Sequence, residues 1–172
     1  MHTKTYTNLP QEAKEIRIEV FMKEQGFENE FDDIDDISHH IVVFDNQKPI
    51  GTCRFFLEDN HYTIGRVAIL SKYRHKHIGY MLLQAAEKEI QKLNGDLIVV
   101  HAQVRVSPFY EKQGYIQFGQ IDEDEGVPHK WMKKKRYSIK LLYLKFPSSF
   151  LRVPSSFQLI KNKSQHEYPN LL

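Results

Sequence analysis

The densest group of residues able to do chemistry is a basic turn, SKYRHK, at residues 71–76. It follows an apolar strand candidate and precedes a helix candidate. The positive or protonatable side chains of the turn and the helix start are Arg74, His75, Lys76 and His77. A strand that enters a helix through such a turn aims free backbone N–H groups and the helix dipole at one place, and Gly79 allows close backbone approach. The pattern predicts an anion site, and a basic surface turn that caps a helix is the alternative.

Residues able to move a proton are scattered along the chain. The candidates for a general base are His39, His40, His101, His129 and Glu24. A water relay would serve as well, and a histidine in a strand is more often a half-buried structural residue than a catalyst. Tyr110 lies in a short helix candidate, and from the residues alone an aromatic side chain that packs this helix is the favoured interpretation.

An acidic stretch offers the pattern DDxxD at Asp32, Asp33 and Asp36. In prenyl-diphosphate enzymes this pattern binds magnesium, but that chemistry needs an all-helical fold that a strand-rich chain cannot supply. A solvated acidic loop is the favoured interpretation, and acids beside a cleft would also attract cationic groups. His39 and His40 would point to opposite faces of a strand, so we predict no metal site.

Composition bounds the class of protein. The 172 residues suit one domain, and 41% hydrophobic with 27% charged residues is typical of a soluble globular protein. No apolar run approaches the roughly 20 residues of a membrane span, and the first residues contain no secretory signal. We therefore expect a cytoplasmic protein with no membrane association. Cys53 is the sole cysteine, which excludes an internal disulfide and favours a buried strand thiol.

Charge divides the chain into two parts. Residues 1–129 contain 14 Lys and Arg against 21 Asp and Glu, a net charge of −7, whereas the remainder contains 10 basic residues and one acid, a net charge of +9. Such a split often marks segments with different roles. We predict a domain over 1–135 and a basic extension containing Ser, Pro and Phe over 136–172, whose role the sequence leaves open. Self-association as a homodimer is one option for it.

The hydrophobic pattern predicts strands and helices in alternation. The strongest helix runs from Ile78 to Leu93, with apolar residues every three or four positions up to an Asn-Gly stop. The other predicted elements are a strand at 3–7, a helix at 11–25, a loop or short helix at 27–38, a hairpin at 40–58, strands at 61–70 and 97–104, a short helix at 107–113, and strands at 115–121 and 129–134 around an acidic turn. A strong helix between two strands indicates a parallel pair. The fold class is therefore α+β, in α/β layers, with a mixed sheet.

The basic turn and its surroundings resemble the GNAT superfamily of acetyl-CoA-dependent N-acyltransferases. The superfamily signature at this place is Arg or Gln, two residues, Gly, one residue, and Gly or Ala. This chain has Arg74 to Gly79, with His77 in place of the first glycine. Further matching segments are EVFMKEQGFENEFDDIDD followed by HH, GRVAIL, AQVRVSPFYEKQGY, and EGVPHKWM. Together they are similar to the small ElaA-like bacterial branch over residues 1 to about 135.

The resemblance implies a GNAT-like sheet with a splayed parallel strand pair and places acetyl-CoA, the cosubstrate, on it. The residues that it assigns to the coenzyme are Val67, Ala68, Ile69, Arg74, His75, Lys76, His77, Ile78, Gly79 and Tyr80. Residues 67–69 would pair with the pantetheine arm, and one of their N–H groups would hold the thioester oxygen. Tyr110 would protonate the departing sulfur.

The resemblance also implies an acceptor site and a reaction. The acceptor-site candidates are Glu24, His40, Gln103 and His129. We predict transfer of an acetyl group to the amine of a small acceptor, which the acidic loop would favour as a cation, by direct attack in a ternary complex. A non-catalytic acyl-CoA sensor of the same fold is the alternative, because His77 replaces a glycine. The net charge of −7 opposes nucleic-acid binding despite the basic segment KWMKKKR.

Overall fold

A computed structural model describes residues 1–135. Its strands are β1 His2–Tyr6, β2 His39–Asp45, β3 Lys48–Glu58, β4 His61–Ile69, β5 Leu97–Gln103, β6 Ile116–Asp124 and β7 Val127–Lys135. Its helices are α1 Gln11–Arg17, a π-helix Ile18–Glu24, α2 Ile34–Ile37, α3 Ile78–Lys92 and α4 Ser107–Lys112, with 3₁₀ turns at Ser71–Tyr73 and Val104–Val106. The predicted extension at 136–172, and the homodimer suggested for it, lie outside the described residues.

The seven strands form one mixed sheet in the order β1-β2-β3-β4-β5-β7-β6. Only β4 and β5 are parallel neighbours, and α3 connects them. Their pairing covers three residue pairs, from Tyr62 opposite Ile98 to Ile64 opposite Val100. Beyond those pairs β4 remains paired with β3 and β5 remains paired with β7, so β4 and β5 separate from each other. The predicted α+β fold with a splayed parallel pair is confirmed.

Apolar side chains cover both faces of the sheet. On one face, α3 buries the apolar positions that recur at helical spacing in its sequence, among them Ile78, Leu82 and Ile90. On the other face, α1 buries Ala13 and Ile16 against the sheet. Strand β5 buries Ile98, Val100 and Ala102 under α3 and Val99 on its other face, which agrees with its nearly continuous apolar run. No helix in the described part of the chain is long and apolar enough to cross a membrane.

The first helix differs from the prediction of one continuous α-helix. It is α-helical over Gln11–Arg17 and then continues as a π-helix over Ile18–Glu24, before a left-handed Gly26 with φ of 79°. Helices of the π type are rare and are frequent at functional sites. The wider turns rotate the residues that follow Arg17 relative to a regular helix, which alters where Glu24 and Gln25 point.

The turn between the last two strands is also shorter than the acidic turn that the sequence predicted. Strands β6 and β7 run up to Asp124 and Val127, and a two-residue turn of Glu125 and Gly126 joins them. Both turn residues have positive φ, 48° and 75°, as a tight hairpin turn requires. The acids at 122–124 therefore lie in a strand and not in a loop.

Candidate active site

The open edge of β4 follows from its hydrogen bonds to β3. The Leu70 N–H donates to the Ile50 carbonyl at 3.0 Å, and Ala68 lies opposite Thr52. Because backbone groups alternate along a strand, Ala68 also turns its N–H and C=O toward β3, whereas Val67 and Ile69 turn theirs away. The Ile69 carbonyl accepts a bond from Arg74 Nε at 3.1 Å on that side. Val67 and Ile69 thus present backbone groups to the space where β5 has departed.

A bulge sets this geometry. Arg66 has a φ of 51°, and the register between β3 and β4 shifts by one residue there. The extra residue bends the strand and re-aims the side chains that follow it. Arg66 itself reaches the loop after the π-helix, where its Nε lies 3.3 Å from a Glu30 carboxylate oxygen.

The basic turn ends at an uncapped helix. The 15-residue α3 begins after His77, and no side-chain hydrogen bond caps its first turn. His75 and His77 both have a φ of 61°, in the left-handed region that favours glycine. His77 therefore keeps the backbone conformation that a glycine would take at this position. Free N–H groups at a helix start, beside turn residues in this conformation, are suited to an anion.

The cofactor candidates after the turn contribute in different ways. The Ile78 side chain is buried in the core, so only its backbone is available to a ligand. A Cβ on Gly79 would lie 3.3 Å from both Ile69 Cδ1 and Phe109 Cζ, so glycine suits the close packing at this place. Tyr80 is exposed, and its hydroxyl accepts a bond from Gln84.

Arg74 forms a bidentate ion pair with Glu24. The two guanidinium nitrogens lie 2.6 and 2.7 Å from the two carboxylate oxygens. This hydrogen bonding holds the pKa of Glu24 below its usual value. The sequence assigned Glu24 to the acceptor and Arg74 to the coenzyme, but the structure brings the two side chains together at the basic turn.

Tyr110 lies on the α3 face of the sheet. It is 7% exposed, and its ring packs edge-on against Phe109 and Tyr115, with centroid distances of 5.0 and 5.7 Å. Burial raises the pKa of Tyr110 well above 10, and the neighbouring Cys53 sulfur adds to the effect. The hydroxyl is therefore protonated at physiological pH, as a proton donor must be. Cys53 is itself buried, as predicted, with its pKa raised by burial to about 12.

Gln103 bridges the opening from the β5 side. Its Nε2 donates to the Oε1 of Gln25, the residue that follows the π-helix, at 2.9 Å. Arg105 donates to both amide oxygens, to Gln103 at 2.8 Å and to Gln25 at 3.1 Å. His129 lies opposite Gln103 on β7, and its Nδ1 lies 2.7 Å from the Val127 carbonyl.

His40 is not placed to meet an acceptor. It is 1% exposed, and its Nε2 lies 3.0 Å from the Asp35 carbonyl. Burial lowers the pKa of His40, so the ring is neutral at pH 7. We therefore remove His40 from the acceptor-site candidates.

The acidic stretch is only in part the solvated loop that the sequence favoured, because Asp32, Asp33 and Asp36 are exposed whereas Glu30 and Asp35 are buried. Arg17, which is 1% exposed, donates to Glu30 at 2.5 Å and to Asp35 at 2.6 Å. Arg54 donates to Asp32 at 2.5 Å and to Asp35 at 2.8 Å. A buried charge is tolerated only when it is paired and hydrogen-bonded in this way. Within residues 1–135, no three His, Cys, Asp or Glu side chains are grouped as a metal site.

A network that the sequence did not predict lies on β5, β6 and β7. His101 Nε2 is 2.7 Å from Asp122 Oδ1, and Trp131 Nε1 donates to Asp122 Oδ2 at 3.2 Å. The His101 ring stacks on Trp131, with centroids 4.3 Å apart. The sequence pair Glu125-Gly126 could have indicated this network. A two-residue turn at this pair extends β6 to Asp124, which places Asp122 in the strand.

Sequence comparison supplies the family. The family model described as an acetyltransferase (GNAT) domain matches residues 7–136. YjcF of Bacillus subtilis (strain 168), an uncharacterized N-acetyltransferase, is 34% identical over 122 residues, 69% of this chain and 87% of YjcF. The ElaA protein of Escherichia coli (strain K12) is 25% identical over 128 residues, 70% of this chain and 84% of ElaA.

Solved structures share the fold. A crystal structure of a protein from Lactobacillus plantarum has a TM-score of 0.72 at 27% identity, and covers 80% of this chain and 100% of that chain. An aminoglycoside 6'-N-acetyltransferase complexed with coenzyme A has a TM-score of 0.63 at 15% identity, over 78% of this chain and 97% of that chain. At that identity the likeness concerns the fold alone. The family match and the parted strands agree, and this chain belongs to the GNAT family of acetyltransferases, which use acetyl-CoA.

Proposed function

We propose that this protein transfers an acetyl group from acetyl-CoA to the amine of a small acceptor, by direct attack in a ternary complex. One observation carries the proposal. Strands β4 and β5 separate after three residue pairs, and the uncapped start of α3 follows the same end of β4. An opening in a sheet beside a helix N-terminus offers both an unpaired strand edge and an anion site.

The donor would lie along the open edge of β4. Val67 and Ile69 turn their backbone groups to the opening, so they suit the pantetheine arm, and one of their N–H groups suits the thioester oxygen. A preorganised N–H donor at a developing oxyanion accelerates such reactions by about 10²–10³-fold. Ala68 was assigned to the same role, but its backbone groups face β3, so we restrict the role to Val67 and Ile69. The N–H groups at 78–80 and the side chains at 74–77 would hold the pyrophosphate.

The leaving group would receive its proton from Tyr110. A thiol has a pKa near ~8.5, so a thiolate leaves tolerably without help. A donor that is protonated and close to the sulfur still lowers the barrier, by the moderate amount typical of general acids. Tyr110 lies on the α3 face of the sheet, the same face as the helix that begins at the anion site.

The acceptor would approach from the opposite face, where Gln103, His129 and Gln25 surround the opening. The expected attraction of cationic amines by the acidic loop is weakened, because Arg17, Arg54 and Arg66 pair with Glu30, Asp32 and Asp35. We therefore propose a small amine without requiring that it carry a further positive charge.

The left-handed conformation of His77 bears on the sensor alternative. A side chain in place of glycine there was the reason to consider a non-catalytic acyl-CoA-binding protein. Because His77 adopts the left-handed conformation that favours glycine, with φ of 61°, the replacement is compatible with the proposed anion site.

Screening small primary amines with acetyl-CoA tests the proposal. Free thiol is measured continuously, and mass spectrometry identifies the acetylated amine. We expect transfer to at least one amine and none without acetyl-CoA. Binding of acetyl-CoA, shown by calorimetry, without transfer to any amine in a broad panel would favour the sensor instead.

A further inference from the structure

We propose that His101, oriented by Asp122, is the general base that takes the proton from the acceptor nitrogen. The proposal rests on the proposed acetyl transfer and adds the group that completes it. It is carried by the contact between His101 Nε2 and Asp122 Oδ1, at 2.7 Å, beside the opening between β4 and β5.

The position of His101 in β5 brings it to the opening. Val100 is the last β5 residue paired with β4, opposite Ile64, and His101 is the next residue. Its neighbours Val100 and Ala102 point into the core under α3, so alternation places His101 on the other face. That is the face from which we expect the acceptor to approach, and the His101 side chain is 24% exposed there.

Asp122 fixes which ring nitrogen is basic. An ionised carboxylate can only accept, so Nε2 carries the hydrogen and the neutral ring keeps its lone pair on Nδ1. Hydrogen bonding to His101 holds the pKa of Asp122 below its usual value, and the Trp131 N–H on its other oxygen adds to the effect. Stacking on Trp131, at an interplanar angle of 18°, holds the plane of the imidazole. His101 is thus oriented by a carboxylate in the manner of a catalytic base.

The charged groups around His101 leave Asp122 as its direct ionic partner. From β6 it is faced by Asp122, and from β7 by His129, whose ring centroid is 4.7 Å away and whose Nδ1 is 2.7 Å from the Val127 carbonyl. Lys133, further along β7, lies over the Phe118 ring. From β4, Arg66 is paired with Glu30 and Asp32.

The reaction balances with these two groups. The amine nitrogen forms a bond to the thioester carbon and loses one proton to His101 Nδ1. The bond from carbon to sulfur breaks, and the sulfur receives one proton from Tyr110. Solvent then removes the proton from His101 and returns one to Tyr110, so the products are the acetylated amine and the free thiol.

Two matched pairs of variants test the role. His101→Gln and Asp122→Asn are compared with His61→Gln and Glu58→Gln, which alter a histidine–carboxylate pair at the opposite end of β4, 3.8 Å apart. The probe amines are histamine, tyramine, spermidine and benzylamine. We expect His101→Gln to lower kcat/KM by about 10²-fold or more. Asp122→Asn should lower kcat/KM up to about tenfold, because the imidazole loses the carboxylate that orients it.

The controls His61→Gln and Glu58→Gln should keep the rate of the unmutated protein. Acetylation by the unmutated protein and by His101→Gln at equal rates would overturn the base role alone. Absence of acetylation with acetyl-CoA bound would overturn the proposed function and the base role with it.

Imidazole NMR of the full chain gives a readout independent of any acceptor. The His101 signals are assigned by their loss in His101→Gln. We expect the neutral ring to carry its hydrogen on Nε2. A hydrogen on Nδ1 would overturn the proposal.

Discussion

Arg74 is the residue on which the proposed coenzyme site depends most directly. Its guanidinium reaches Glu24 with both nitrogens and the Ile69 carbonyl with Nε. A pyrophosphate at the start of α3 would compete with Glu24 for the same donors. The Glu24 carboxylate would also repel that anion. The contribution of Arg74 to the free energy of coenzyme binding would therefore be the difference between its ion pair with the pyrophosphate and its ion pair with Glu24.

This competition predicts opposite effects of two substitutions on acetyl-CoA affinity. Arg74→Ala should weaken binding about tenfold, because a charge-assisted contact is lost. Glu24→Gln should strengthen binding about two- to fivefold, the modest range expected for a partly exposed pair. Calorimetry measures both affinities.

Glu19→Gln is the matched control, because Glu19 pairs with Lys23 at 3.0 Å on the same helical segment. Its affinity should equal that of the unmutated protein. Equal affinities for all three variants would place the pyrophosphate elsewhere.

At the scale of elements, local sequence patterns predicted the helix, strand and turn that would position the acetyl donor. Helix α3 and strand β5 have the periodicity and the apolar run that their packing requires, and the turn between β4 and α3 is basic in the sequence itself. The remaining parts depend on partners that are distant in the chain. The local sequence predicts an exposed acid at Asp35. The fold brings Arg17 and Arg54, which are 18 and 19 residues away in the sequence, into contact with it. Nothing local indicates that burial.

The same limit applies to the opposite face. Four consecutive acids at 122–125 suggested a turn, so Asp122 was not connected to His101, which is 21 residues away. The π-helix likewise has no signal in the apolar spacing of residues 11–25. These elements determine which side chains meet at the acceptor side, and for that reason the acceptor side was predicted less completely than the donor side.

The tip of the β6–β7 hairpin holds the loop that follows the π-helix. Glu125 accepts from the Glu28 N–H at 2.9 Å and from the Asn29 N–H at 3.1 Å, almost a hundred residues away in sequence. Glu125→Ala should therefore speed amide hydrogen exchange at Glu28 and Asn29, by about threefold or more, while the core amides keep their rates.

Exchange monitored by NMR tests this tether, with Glu123→Ala as the control on the same exposed hairpin. Unchanged exchange at both amides in Glu125→Ala would show that the contact does not order the loop.

At the scale of the whole molecule, the paired charges connect stability to pH. Burial would raise the pKa of Asp35, but hydrogen bonds from Arg17 and Arg54 outweigh it and lower the value to about 2. The hydrogen bond from Arg54 also lowers the pKa of Asp32. A carboxyl whose pKa is lower in the folded state stabilises the fold above its unfolded pKa, near ~3.9, and loses that contribution as the pH falls. Burial raises the pKa of Glu30, so this residue has the opposite effect: its contribution to the stability of the fold is lost as the pH rises above 4.5.

We therefore expect the free energy of unfolding to fall by about 1 kcal/mol between pH 5 and pH 3 through Asp35 alone. Urea unfolding at the two pH values measures it. Asp36→Asn, at an exposed neighbour, should retain the loss, whereas Asp35→Asn should reduce it. If Asp35→Asn does not fold, Asp32→Asn should show a smaller reduction. Identical losses in the folded variants would contradict the assignment.

Catalysis by acetyl transfer is the central claim for the molecule, and Tyr110→Phe tests it most directly. The substitution removes the hydroxyl and keeps the ring that packs on Phe109 and Tyr115, so folding and acetyl-CoA affinity should be nearly unchanged. Single-turnover measurement with an accepted amine should show the rate of the chemical step reduced by up to about 10²-fold, with little change in the KM for the amine. An unchanged chemical rate would contradict the role of Tyr110, and an unmutated protein that binds acetyl-CoA but acetylates no amine would contradict the account as a whole.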